Sequence, residues 1–170
     1  DWFLQRYPLK EQPEARARLN ALVEAYRGRR EVVESILRQD HPPLTFPMAL
    51  PAREYQAVAA ELALRNGSLL LADDVGLGKT VVAIAALTDA RARPGLVCVY
   101  PHLQYQWEAE FRKIAPALRT HVLRKGRPYD LSTAAGGHSP DILISTYHKL
   151  AGWADVLAPR LAALLGLLRQ

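Results

Sequence analysis

Cysteine is almost missing: the 170 residues hold one, Cys98. A single thiol excludes a disulfide within the chain and any zinc site built from its cysteines. Cys98 sits in the apolar run Leu96-Val97-Cys98-Val99-Tyr100 and reads as a small buried hydrophobe. The five histidines, at 41, 102, 121, 138 and 148, fall at no metal-ligand spacing. No apolar run approaches the ~20 residues of a spanning helix, and the N-terminus lacks the order of a signal peptide. A membrane role is therefore not expected, and a reducing, cytoplasmic setting is the default. There is no internal repeat and no low-complexity tract, so a repeat architecture is not expected either.

The composition present is that of a globular protein, 49% hydrophobic and 23% charged. That length can bury one substantial core plus an appendage. The net charge of +5 suits a nucleic-acid partner and equally a solvated basic surface. A bias towards Ala, Leu, Arg and Pro points to a GC-rich bacterial genome, and there to a nucleoid-associated protein if DNA is the partner.

The most informative stretch is Asp73-Asp74-Val75-Gly76-Leu77-Gly78-Lys79-Thr80. An apolar run, Ser68-Leu69-Leu70-Leu71-Ala72, precedes it, and another, Val81 to Leu87, follows. Buried strand, Gly-rich turn ending in Lys-Thr, then helix is the setting of a nucleoside-triphosphate loop. Unpaired N–H groups and the dipole at a helix start favour an anion. Gly76 and Gly78, without Cβ, let the backbone wrap closely with positive φ. Lys79 brings a compact positive charge to the β- and γ-phosphates of ATP, and the Thr80 hydroxyl suits Mg²⁺. One position departs from the strict pattern: Asp73 stands where the first Gly is usual.

Around this loop the pattern alternates. Residues 1–40 read as helical, with Leu19, Leu22, Val23 and Tyr26, then Val32, Val33, Ile36 and Leu37, at helical spacing. Pro13 suits a helix start, and Gly28 is expected to divide two helices. Prolines at 42, 43, 47 and 51 mark Asp40 to Pro51 as a linker. A helix follows over about 53–66, ended by Asn66-Gly67, then a strand over 68–72 and a helix from the loop to about 92. Beyond the turn Arg93-Pro94-Gly95 come a strand at 96–100, a helix at 102–115, a short strand at 120–123, a loop from Gly126 to Pro140, a strand at 141–145 and helix over 148–168. Strands alternating with helices predict an α/β fold with a parallel sheet covered on both faces.

Four segments, in order, resemble the Swi2/Snf2 branch of the superfamily 2 helicase-like ATPases. Leu71 to Thr80 is similar to its motif I, Ala-Asp-(Glu/Asp)-Met-Gly-Leu-Gly-Lys-Thr, which accounts for Asp73 and places Val75 where Met is usual. Leu50-Pro51-Ala52-Arg53-Glu54-Tyr55-Gln56 resembles the Q-motif region, where Gln56 would bond the adenine edge with Arg53 nearby. Val97 to Phe111, with Pro101 and Gln106-Trp107-Glu108, resembles motif Ia. There the turn Pro101-His102-Leu103 would offer N–H groups to a DNA backbone. Asp141-Ile142-Leu143-Ile144-Ser145-Thr146-Tyr147 resembles the family's Asp-(apolar)₃-Thr-(Thr/Ser)-Tyr segment, with Thr146 and Tyr147 facing nucleic acid.

The resemblance covers about 50–150 and implies a RecA-like P-loop NTPase lobe over 46–170, preceded by a helical extension and linker over 1–45. It implies ATP and Mg²⁺ as cofactors, with Arg53, Gln56 and Asp73 to Thr80 at the nucleotide and Lys79 and Thr80 in the catalytic roles. It also implies double-stranded DNA and a second RecA-like lobe as partners, and leaves the N-terminal helices free for a protein partner. The family next requires Asp-Glu-x-His, whose carboxylates hold Mg²⁺ through water and position the attacking water. After Tyr147 the chain instead has Ala154-Asp155-Val156-Leu157. The expectation is a lobe truncated before that motif, binding nucleotide without turning it over. Two other readings stay open: a strand-separating superfamily 2 helicase or restriction-type motor subunit, and a degenerate lobe serving as a protein-interaction module.

Overall fold

β-Branched and aliphatic residues between turn signals form three short strands: β1 (Gly95–Cys98), β2 (Thr120–Val122) and β3 (Ile142–Ser145). The computed structural model describes residue 6 and residues 12–158. All strand pairs are parallel, in the order β1-β3-β2, with Gly95 and Thr120 both opposite Ile142. The central strand β3 is buried at every position, as a strand covered on both faces must be.

Helices precede, separate and follow the strands: α2 (Glu54–Asn66) and α3 (Lys79–Thr88) come before β1, α4 (Gln104–Ile114) and a single turn α5 (Leu131–Ala134) lie between strands, and α6 (Tyr147–Ala151) follows β3. Period-two alternation sorts the strand side chains. Val97, Ile142 and Ile144 pack with Ile84 of α3 and Phe111 and Ile114 of α4 on one face. Leu143 turns to the other face, with Leu123, Leu131, Trp153 and Leu157. The predicted α/β fold with a covered parallel sheet is the fold observed.

Contacts divide the chain between His41 and Pro42. Among the described residues of the first unit, Pro13–Leu37 forms the long helix α1, with Pro13 at its start as expected. Gly28 does not divide it. Glycine in a helix costs about 1 kcal/mol relative to alanine, and ion pairs Arg27–Glu24 and Arg30–Glu34 support the helix on either side.

In the second unit the proline-rich stretch after Pro42 folds onto the α2–α3 half of the core and does not behave as a linker. Phe46 is buried with Ala57, Ala60 and Leu64 of α2 and Val82 and Ala85 of α3, and Leu44 and Met48 pack beside it. Glu61, 1% exposed, accepts the Leu44 N–H at 3.2 Å, and Ala49 N–H donates to Ile114 O at 2.7 Å.

The strand expected at 68–72 does not form. Leu71 packs against the α2–α3 cluster, but Leu70 is 91% exposed. A strand needs a neighbour for its N–H and C=O groups, and the described sheet ends at β1 and β2. The expected helix to about 92 ends at Thr88 and gives way to a 3-10 turn, Ala90–Ala92, and the loop from Gly126 to Pro140 contains the single turn α5. The long helix expected at 148–168 is interrupted: α6 ends at Ala151, a turn covers Gly152-Trp153, and 154–158 is helical again. Residues 159–168 lie outside the described residues.

Candidate nucleotide and nucleic-acid site

Asp73 to Gly78 forms an exposed turn that feeds directly into α3. Gly76 and Gly78 take φ of 93° and 76°, the left-handed values for which glycine suits these positions. Val81 and Val82 N–H both return to Gly78 O, so the helix begins there, with the first-turn amides ahead of them. Lys79 at the first helical position folds back over the turn: its Nζ donates to Asp73 O at 2.6 Å and Asp74 O at 2.8 Å. Asp73, Asp74, Val75 and Leu77 are exposed, and Thr80 is half-buried beside Lys79.

The loop is braced from α2. Gln56, 6% exposed, accepts the Arg53 N–H through Oε1 at 3.0 Å and donates from Nε2 to Leu77 O at 3.1 Å. Tyr55 donates its hydroxyl proton to the same Leu77 carbonyl at 3.0 Å. Gln56 thus stands at the loop and caps its own helix; its amide is committed to backbone groups in this geometry. Tyr55 went unnoticed in the sequence, where nothing distinguishes it from any helix tyrosine.

The helix α3 leads through the 3-10 turn to the start of β1, where a Cβ on Gly95 would stand 2.6 Å from Leu87 Cδ2. Its N-terminus therefore points to the carboxyl end of the sheet, where ligands of open α/β folds bind. The other candidate segments leave the sheet at that end. β1 runs on through Tyr100 into a 3-10 turn, Pro101–Leu103, and β3 runs into Thr146-Tyr147. Because β1 and β3 are neighbours in register, Cys98 opposite Ser145, the two turns lie side by side.

Within that pair the residues are unequal. Pro101, His102 and Tyr147 are exposed and Leu103 is half-buried. The Tyr100 and His102 rings stack at 6.1 Å between centroids. Thr146 is 4% exposed, and its Oγ1 caps α6 by accepting the Lys149 N–H at 3.4 Å. Its hydroxyl is turned to the helix backbone. Exposed Tyr100 and Tyr105 join Tyr147 at this end; sequence reasoning passed over both.

Behind the turns lies a polar cluster that sequence reasoning also missed. Lys149 Nζ donates to Gln104 Oε1 at 3.0 Å and to Leu123 O at 2.6 Å. The Tyr129 hydroxyl accepts the Arg124 N–H at 3.0 Å and meets His121 Nε2 at 2.8 Å. Burial, then the Arg124 charge, pushes the His121 ring below its ordinary pKa against a smaller opposing pull from Glu108. Cys98 is half-buried, and burial pushes its thiol up. Among the described residues no group of three or more His, Cys, Asp or Glu side chains is placed to hold a metal ion, and no helix is long and apolar enough to cross a membrane.

Comparison with known proteins addresses the family and the fold. The family model described as SNF2-related domain matches residues 2–163. DNA repair protein RAD5 of Yarrowia lipolytica is 39% identical over 83 residues, covering 48% of this chain and 8% of that protein. TATA-binding protein-associated factor MOT1 of Saccharomyces cerevisiae is 31% identical over 127 residues, covering 62% and 7%. The chain thus spans less than a tenth of either relative. Among solved structures, the Sulfolobus solfataricus SWI2/SNF2 ATPase core in complex with dsDNA matches with a TM-score of 0.52 and 27% identity, over 63% of this chain and 24% of that one. With nearly its whole length matched by one family model and its sheet, loop and turns arranged as described, this chain belongs to the SNF2-related domain family of helicase-like ATPases.

Proposed function

We propose that this chain is the ATP-binding part of a first RecA-like motor lobe, and that the protein containing it moves along double-stranded DNA at the expense of ATP. The observation that carries the reading is Lys79. Its ammonium stands over the turn on two neutral carbonyl oxygens, at 2.6 and 2.8 Å. A phosphate oxygen is a charged acceptor and replaces them favourably. Positive φ at Gly76 and Gly78 and the start of α3 at the same point suit a polyphosphate. The residues present therefore fit ATP, with Asp73 to Lys79 along the phosphates, Thr80 offering its hydroxyl to Mg²⁺, and Arg53 and Gln56 at the base.

Mg²⁺ supplies charge neutralisation on the phosphates when bound. The side-by-side turns 101–103 and 146–147 support a duplex partner held by its backbone, without base readout. In this reading a second lobe and a downstream Asp-Glu-x-His segment complete the hydrolytic site, and the setting is the cytoplasm or nucleoid of a bacterium. The exposed Leu19, Leu22 and Tyr26 on α1 support a protein partner for that helix.

The test is titration of the 170-residue chain with Mg-ATP. Binding that is lost in Lys79→Ala, with no turnover by the chain alone, is the expected result. Binding that survives Lys79→Ala overturns the assignment of the loop, and steady hydrolysis by the chain alone overturns the need for a further segment.

A further inference from the structure

The two turns proposed to meet DNA come from different strands, and one side chain ties them together. Lys149, on α6, follows Thr146-Tyr147 by one helical turn, and its backbone N–H donates to Thr146 Oγ1. Its ammonium reaches Gln104 at the head of α4 and Leu123 O at the end of β2. Gln104, 6% exposed, passes the link on: its Nε2 donates to Pro101 O at 3.0 Å, inside the other turn. Leu123 N–H donates to Ile144 O, so the third anchor is itself pinned to β3. The result is a continuous series of bonds from Pro101 through Gln104 and Lys149 to Thr146, at the carboxyl end of all three strands.

We infer that Lys149 is a positioning residue that locks the Pro101–Leu103 turn to the Thr146-Tyr147 turn, so that duplex DNA meets them as one preset surface; this rests on the DNA-facing role proposed for those turns. The chemistry favours these residue types. An ammonium carries three donors on a flexible stem and can serve two acceptors on different elements at once. A carboxamide accepts with one atom and donates with the other, so Gln104 transmits the constraint without adding charge. Turns held in place before binding lose less freedom on binding, which appears as affinity.

A lysine at such a place has a plainer alternative, direct contact with a phosphate, and the two separate by experiment. Lys149→Met keeps the stem and removes the donors. Hydrogen exchange is measured on the full 170-residue chain, and duplex binding over a series of salt concentrations. The clamp predicts faster exchange in both 102–106 and 147–150, with α2 and α3 unchanged. It also predicts affinity lower by about fivefold and an unchanged slope of log K against log salt. Exchange that rises in 147–150 alone overturns the clamp. So does a slope smaller by about one, the signature of a lost phosphate contact.

Gln104→Glu is a second variant, informative even if Lys149→Met folds poorly. It keeps an acceptor for Lys149 and removes the donor to Pro101, so exchange rises in 102–106 only; no change there overturns the proposed transmission. Failure of the unmodified chain to bind duplex sinks the DNA reading, while the exchange measurements still decide whether the two turns are coupled.

Discussion

A Cβ on Gly78 would stand 2.5 Å from Gln56 Nε2, the atom that holds the Leu77 carbonyl. The glycine loop and the buried glutamine of α2 are thus fitted to each other at the one position where the backbone also requires φ of 76°. Gly78→Ala must meet both demands at once. A left-handed conformation costs a side-chain-bearing residue about 1–2 kcal/mol, and the displaced Gln56 loses its bonds to Leu77 and to the head of α2. We expect a loss of about 2–3 kcal/mol in denaturant unfolding. Gly76→Ala, whose added Cβ has open space, loses only the backbone part. Equal losses in the two variants would show that Gln56 does not brace the loop.

The same helix holds the proline-rich stretch through Glu61. Its carboxylate is buried, accepts the Leu44 N–H and has Arg65 at 3.7 Å. Glu61→Leu leaves that N–H without a partner in an apolar setting, at a cost of about 1–3 kcal/mol. Glu61→Gln keeps an acceptor and should recover most of it. The check is equilibrium unfolding of both variants, read with protease sensitivity of 42–52. If Glu61→Leu leaves 42–52 protected, the attachment is made by Phe46 and Leu44 alone.

Acid should weaken the protein in two stages with different owners. Arg119 donates from Nε and Nη2 to the two oxygens of Asp141, and its backbone N–H adds a third bond, tying the approach to β2 to the start of β3. Those hydrogen bonds hold the Asp141 carboxyl below its ordinary range, against the opposing effect of burial. Asp130 is held at about 2 by the Thr133 and Ser132 hydroxyls and the Ser132 N–H. For both, the folded state binds the proton less well than the unfolded chain. Their contribution is complete above the unfolded value of about 4 and is lost as pH falls through the folded values.

His121 acts earlier. Its ring is pushed down, so the unfolded chain takes up a proton first, and stability declines as pH drops below about 6.5 until the folded value is reached. Unfolding free energies measured against pH should show both limbs. His121→Gln should flatten the limb nearer neutrality and Asp141→Asn the acid one. An unchanged profile in His121→Gln would place that limb elsewhere.

Much of this arrangement is legible along the chain because its causes are local. The spacing of Gly76, Gly78 and Lys79 marks a loop entering a helix, and the periods of Val97-Cys98-Val99 and Ile142-Leu143-Ile144 mark buried strands. What the pattern does not display depends on the folded surroundings. Gly28 looks like a break, but α1 runs on through it, with ion pairs on either side. Four prolines look like a tether, but Phe46 packs against α2 and α3, and the Leu44 N–H finds Glu61. Gln56 reads as a base-edge donor, and folding holds its amide at the loop, on Leu77 O and the Arg53 N–H. Lys149 and Gln104, 45 positions apart, have no shared pattern at all; only the parallel pairing of β1 and β3 brings them together.

The segment 68–72 shows most directly how composition and surroundings compete. Leu69-Leu70-Leu71 has the look of an inner strand, yet Leu70 projects almost wholly into water while Leu71 rests on the α2–α3 cluster. Burying a leucine is worth about 1.5–3 kcal/mol, so the two positions should answer differently to the same change. Leu70→Ser should alter unfolding free energy by no more than about 0.5 kcal/mol and should reduce self-association, since an apolar run with unpaired backbone invites pairing between copies. Leu71→Ser should cost about 1–2 kcal/mol. Calorimetry with sedimentation of both variants decides the matter. A large loss for Leu70→Ser would mean that this residue is covered in solution and that the run forms the strand its sequence describes.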